Sequence, residues 1–384
     1  MTSNEQSADC IVRPKRSFGR SFWRFICSAP KYTKVTFILF LISIAIHVIS
    51  IYSPSFSDFF TENIAAFFRT VLAGITGWFP FSLAETLILM IPILVVLYFA
   101  LTWNHYIRKQ NSMRSLVFAF FSTVMILYIS AVFTFMTGYH NSPLDKKLGI
   151  EKAPVSANEL YETAQTVNAH LNELQADINY GYDSFSIMPY GIDELSDKLL
   201  DSYDVCVEQY SFLHNIPARI KPLALSEAMS YTHITGVYTY FTGEANIDAA
   251  FPDFTLPYTA AHEFAHQRGM ARENEANFIA YLVCINSTDP YIQYSGYLNM
   301  LQYLTNALYT ADSELYSKLH SEISSQTKSE LGAYSRFFDK YRDSTASKVS
   351  GAVNDTYLKL QGTEGSKSYG MVVDLTVAYY KRFK

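Results

Sequence analysis

Cysteine is scarce in this chain of 384 residues. Its four thiols are Cys10, Cys27, Cys206 and Cys284, and no two of them form a CxxC pair, which excludes a paired-thiol redox or thiolate-metal motif. Cys206 and Cys284 both fall in apolar helical patterns, so they are either two free buried thiols or a disulfide formed in an oxidising compartment. A basic excess is also missing: 30 Lys and Arg against 35 Asp and Glu leave a net charge of −5. With no basic-aromatic stripe beyond the first third of the chain, no nucleic-acid partner is expected. There is no internal repeat. No small-x-small cleavage site follows Tyr52-Ser53-Pro54, so the first apolar run reads as an uncleaved anchor and not as a signal peptide.

What the chain does have is apolar length, concentrated in its first third. Residues 35–52, 83–103 and 116–136 are almost free of charge, and each is close to the roughly 20 residues that a helix needs to cross a hydrocarbon core. Lys and Arg crowd the segment before the first span (Arg13, Lys15, Arg16, Arg20, Arg24, Lys31, Lys34) and recur at Arg108, Lys109 and Arg114, whereas the 53–82 loop carries only Arg69. The positive-inside rule then predicts a cytoplasmic basic N-terminus over 1–34, a membrane domain over 35–136 embedded in the lipid bilayer, and an extracytoplasmic domain over 137–384. Within the outer loop, Phe60, Ile64, Phe67, Phe68, Val71, Ile75 and Trp78 recur at intervals of three and four. That predicts an amphipathic helix over 56–79, lying in the membrane interface, dipping between the spans, or packing on the outer domain. His47 and Pro92, inside the spans, are read as packing and kink positions.

The roughly 245 residues from 140 onward suffice for one domain with its own core. Helical periodicity marks 159–174, 192–212, 258–267, 273–286 and 291–308, and residues 219–225 and 235–241 read as strands bounded by Pro and Gly. The expected fold is α+β, a mostly helical catalytic domain with a small sheet, preceded by three transmembrane helices.

The densest chemistry lies in His262-Glu263-Phe264-Ala265-His266-Gln267-Arg268-Gly269. Histidines four apart share one helix face, with about 5–6 Å between their Cβ atoms, which suits two ligands of one tetrahedral ion. Glu263 sits where it can reach a metal-activated water without binding the metal. Thr255 is the expected N-cap, Pro257 lies in the first turn, and Gly269 stands where the helix must end. A second helix follows, opening with Arg272-Glu273-Asn274-Glu275, and its first turn is the natural source of a third ligand. Glu275 is in phase with Ile279, Leu282 and Val283, and Glu273 with Asn277, so Glu275 is the expected zinc ligand. Glu273 or Asn277 is then left to orient a histidine.

The run His262–Gly269 followed by 272–278 resembles the zincin metallopeptidases, specifically the gluzincin type, in which HExxH is completed by a later glutamate. The metzincin pattern fails, since its third ligand would fall on Arg272. The whole layout resembles, more closely, a bacterial membrane family known as domain of unknown function 3810. The carriers of that likeness are Gly236-Val237-Tyr238, residues 242–246, the HEFAHQRG run, residues 273–278, residues 354–359 and Ser368-Tyr369-Gly370. The resemblance implies a zinc peptidase but no substrate; with the predicted topology, the leading expectation is a membrane-anchored zinc endopeptidase acting on extracytoplasmic or envelope peptides and proteins. Its zinc ligands would be His262, His266 and Glu275, Glu263 would be the general base, and Tyr369 would donate to the oxyanion, with Tyr258 and His233 as alternatives. Two other readings stay open: a membrane sensor-transducer, and a non-catalytic scaffold that keeps zinc for folding. Substrate, regulation and oligomeric state are not legible.

Overall fold

The computed structural model describes residues 28–107, 112–151, 153–364 and 371–383. Three of its helices are long and apolar enough to cross a membrane: Lys31–Tyr52 (α1), then Leu83–Leu101 within Leu83–Ile107 (α4), and Arg114–Thr134 within Ser112–Thr134 (α5). α1 and α5 pack together through small and hydroxylated side chains, among them Thr33 and Ser122, whose hydroxyls bond at 3.1 Å. Ser43 and Ser50 return their protons to carbonyls one turn back, which satisfies polar groups that lipid cannot. α4 has only 6% of its apolar window buried, so nearly its whole circumference is available to lipid.

Between α1 and α4 the chain forms Pro54–Phe59 (α2), a wider π-type stretch Phe60–Ala65, and Ala66–Thr76 (α3). Ser53 caps α2 by accepting from Phe56 N. The expected amphipathic segment is present as two helices joined by the π-type stretch, with its small and polar side turned inward. Thr61, Ala65, Ala66, Arg69, Ala73 and Thr76 are buried, while Phe67, Val71, Ile75 and Trp78 face outward, Trp78 at 86% exposure. Small side chains let the backbone approach the domain that follows α5 closely, so the smaller, more polar face goes inward.

The residues that follow α5, termed the outer domain only because they lie beyond the apolar helices, whichever side of a bilayer they occupy, are helical around one core. Leu144–Leu148 (α6) leads to Ala157–Leu174 (α7), Ile192–Gln209 (α8) and Ser226–Ser230 (α9). Leu256–Gln267 (α10), Glu273–Ile285 (α11) and Pro290–Ala311 (α12) form its centre, and Ser313–Glu322 (α13), Ser325–Asp339 (α14), Thr345–Leu360 (α15) and Val372–Phe383 (α16) complete it. α7 lies along α12, and α11 is wedged between α10 and α12. From Glu275 to Cys284 every residue of α11 is buried. Cys206 and Cys284 are free, buried thiols, and burial pushes the Cys206 thiol up to about 12.

The sheet has three strands, Ile220–Pro222 (β1), Gly236–Thr239 (β2) and Glu244–Ile247 (β3), in the order β1-β3-β2. β1 runs parallel to β3, with Ile220 opposite Ala245. β2 runs antiparallel to it, with Gly236 opposite Ile247. β3 is hidden in the sequence because Glu244 and Asn246 break its apolar pattern, yet both are buried. Each has a partner that repays burial. Glu244 accepts from Leu83 N at 3.0 Å and Ala84 N at 2.8 Å, capping α4, and Asn246 Nδ2 donates to Val237 O at 3.1 Å.

Candidate metal centre

α10 begins with Thr255 and Pro257 as expected, but Thr255 gives its hydroxyl to Pro252 O and does not cap the helix with its side chain. It ends at Gly269, whose φ of 98° lies in the left-handed region that glycine enters without a Cβ penalty. The reversal sends α11 back against α10.

This hairpin brings His262, His266 and Glu273 together, with one donor atom from each lying within 4.8 Å of the others. Glu273 Oε2 is 3.2 Å from His262 Nε2 and 3.4 Å from His266 Nε2. Two donors bound at about 2.0–2.1 Å to a tetrahedral ion stand about 3.3–3.4 Å apart, so the residues fit a zinc-sized cation. His266 Nδ1 donates to Met270 O at 2.6 Å. That bond orients the ring and leaves Nε2 as its inward-facing donor. His262 Nδ1 has no partner among the described residues.

Glu275 does not join this cluster. Its carboxylate accepts from Leu144 N at 3.0 Å and from Arg272 Nη1 at 2.8 Å, tying α11 to the start of α6. The correction has a simple cause. Helical phase identifies an inward face, but α11 is buried on all sides, and the face toward the histidines belongs to its first residue, Glu273. Asn277, the other residue considered for orienting a histidine, gives its backbone carbonyl to Tyr258 Oη at 3.0 Å.

Electrostatics follow the geometry. Burial opposes charge on Glu273, but the flanking His266 and His262 outweigh it and hold the carboxyl well below its usual range. Burial likewise opposes charge on His266, and the Glu273 carboxylate overcomes it, lifting the imidazole to about 9. Glu263 is 4% exposed. Burial raises its carboxyl above the usual range, partly countered by both histidines. Its Oε2 has no hydrogen-bond partner among the described residues.

Glu263 lies flat on β2 because Gly236 leaves room for it: a Cβ there would come within 2.6 Å of Glu263 Oε1. Of the suggested oxyanion donors, Tyr258 is spent on Asn277 O, and His233 Nε2 is paired with Tyr341 O at 2.9 Å. Tyr369 lies outside the described residues. Tyr357 of α15, not singled out in the sequence, packs edge-on to Tyr139 at 6.1 Å. Burial raises its hydroxyl, with the Glu273 charge adding to the effect.

Two further neighbours escape any reading of spacing. Phe135 places its ring 5.6 Å from His266 and 5.5 Å from Tyr238. Arg69, fully buried, donates to Thr134 O, Thr61 O and Arg268 O at 3.1, 2.9 and 3.4 Å. Burial brings its guanidinium down to about 10. The sequence did signal Arg69, as the one basic residue of the 53–82 loop.

Fold and site together define a mostly helical, membrane-associated protein with a His-His-Glu cluster on consecutive helices. The chain belongs to the family described as Protein of unknown function (DUF3810), matched over residues 60–377. That match crosses from the membrane segments into the outer domain. No curated protein and no solved structure matches the chain.

Proposed function

We propose that this protein is a membrane-anchored zinc metallopeptidase of gluzincin type, hydrolysing peptide bonds of extracytoplasmic or envelope proteins. The observation that carries this reading is the convergence of His262 Nε2, His266 Nε2 and Glu273 Oε2 beside a buried carboxylate with an unpaired oxygen. Zinc in that cluster would supply Lewis acidity and lower the pKa of a water toward neutrality.

Glu263 is the general base: its raised pKa suits a group that takes a proton from the attacking water and returns it to the leaving amine. Met270 O keeps His266 in the tautomer that offers Nε2 inward. β2 is an edge strand of the sheet beside Glu263, and pairing of an extended peptide with such an edge is a known recognition mode, which favours a polypeptide substrate. Positive residues before α1 and between α4 and α5 support a cytoplasmic N-terminus and an outer domain on the opposite side.

The test is Glu263→Gln in the purified full-length protein. This variant is expected to keep its metal and to lose peptide turnover by about 100-fold or more. Undiminished turnover would remove the peptidase reading. Metal retention in a wild-type protein that cleaves nothing would favour the zinc-stabilised scaffold.

A further inference from the structure

The candidate site stands level with the ends of the membrane helices. Phe135, in ring contact with His266, immediately follows Thr134, the last residue of α5. His47, five residues before the end of α1, bonds Tyr128 of α5 at 2.9 Å and lies 5.5 Å, ring to ring, from His140. The flanking carbonyls of Tyr139 and Asn141 accept from Arg272 at 3.2 and 2.6 Å, and Arg272 directly precedes Glu273. Five helical residues rise about 7.5 Å. The first turn of α11 is therefore tied to the last turns of α1 and α5.

The segment joining α1 to α4 explains how the domain is held there. From Ala66 to Phe79 its only charged residue is Arg69, which is buried, while Phe67, Phe68, Val71, Ile75 and Trp78 are exposed. This apolar face continues onto the surface of α5, where Phe133 meets Phe60 at 5.5 Å and Phe68 at 5.4 Å. The opposite face is fastened to the outer domain: Arg69 reaches Arg268 O, and Lys221 Nζ donates to Thr76 O at 3.2 Å and to Phe79 O. A helix bound to spans at both ends, apolar on one side and bolted to a polar domain on the other, matches an interfacial membrane segment.

We infer that residues 66–79 lie in the bilayer interface as a plank beneath the outer domain, and that the site's substrates are polypeptides anchored in the same bilayer and cut close to their anchors. This inference rests on the peptidase reading. Sharing a membrane replaces bulk encounter with a high effective concentration, and a site at the lipid surface receives first the residues that emerge from a neighbouring span.

Two experiments on the full-length protein test it. The first compares new protein N-termini in cells carrying wild type and Glu263→Gln. Glu263-dependent cuts are expected within about 10 residues of a membrane anchor, roughly 35 Å of extended chain. Severing a cleaved substrate from its anchor is expected to slow its cleavage on the order of 100-fold. Cuts scattered through unanchored proteins would overturn the inference and leave the peptidase standing, whereas no Glu263-dependent cut at all would bring down both. The second keeps Trp78 as the sole tryptophan by Trp23→Phe and Trp103→Phe, in phosphatidylcholine vesicles brominated either near the headgroup or at mid-chain. Quenching strongest near the headgroup supports the plank, and Trp78 fluorescence unaffected by either lipid overturns it.

Discussion

Glu263 owes its position to a side chain that is missing. A methyl group at Gly236 would meet Glu263 Oε1 at 2.6 Å, Glu263 Cγ at 2.8 Å and Thr259 Cγ2 at 2.9 Å, so two of its three clashes fall on Glu263. Gly236→Ala is therefore expected to keep all three ligands and the metal while lowering turnover about 10-fold or more through displacement of the base; a variant with normal kinetics would show that Glu263 need not lie on β2. A second buried carboxylate gives a pH signature away from the site. Glu330 accepts from Ser186 N and Oγ at 2.8 and 2.6 Å and from Tyr294 Oη, yet burial outweighs these bonds and raises its pKa above 4.5. The folded state then holds the proton more tightly than the unfolded state, so this group's contribution to stability is greatest at low pH. It fades as pH rises from about 4.5 through the raised folded value. Glu330→Gln is expected to flatten that part of the Tm-versus-pH curve, and an unchanged slope would contradict the assignment. His262, Glu263 and His266 were legible from spacing alone, because i,i+4 geometry is local. The third carboxylate was not, because choosing between Glu273 and Glu275 depends on how one helix docks on another.

The hairpin of α10 and α11 turns on Gly269. A Cβ there would strain a φ of 98° and come within 2.8 Å of Arg69 Nη2 and 2.9 Å of Thr61 Cγ2. Gly269→Ala should cost about 1–3 kcal/mol, read as a lower Tm in detergent; an unshifted Tm would mean that the turn relaxes without cost. Arg69, fully buried, has no carboxylate partner among the described residues, and its charge is solvated by the carbonyls of Thr61, Thr134 and Arg268. α7, α8, α10, α11 and α12 were legible to within a few residues from their 3.6-residue period, whereas the short α6 and α9 and the bounds of α13 to α16 were not. β1 and β2 were visible through their β-branched residues, but β3 was not, since its buried Glu244 and Asn246 make sense only beside the α4 N-terminus and β2. The segment between α1 and α4 was recognised as amphipathic, but whether its apolar side meets lipid or protein was not legible, because apolar side chains point to a core only when water is the alternative. Moving a large apolar side chain out of water is worth about 1.5–3 kcal/mol. Where lipid is at hand, Phe67, Val71, Ile75 and Trp78 gain that without entering the protein.

At the scale of the whole molecule, the membrane segments and outer domain are less separable than a boundary at residue 136 suggests. Glu244 caps α4, Lys221 closes the end of α3, Arg69 reaches the end of α10, and Arg272 holds the 139–141 strap. The family match, which starts at residue 60 and ends at 377, spans this joined unit. Three apolar runs and their charged flanks were plain in the sequence; the clamps between them and the site were not, since each joins residues more than 100 positions apart. The central claim is that this unit holds one zinc ion through His262, His266 and Glu273. Its most direct test is the metal content of purified full-length wild type, Glu273→Gln and Glu275→Gln, measured by elemental analysis on folded protein. The account predicts about one zinc per chain in wild type, nearly complete loss in Glu273→Gln and retention in Glu275→Gln. Wild type without zinc, or a loss confined to Glu275→Gln, would contradict it.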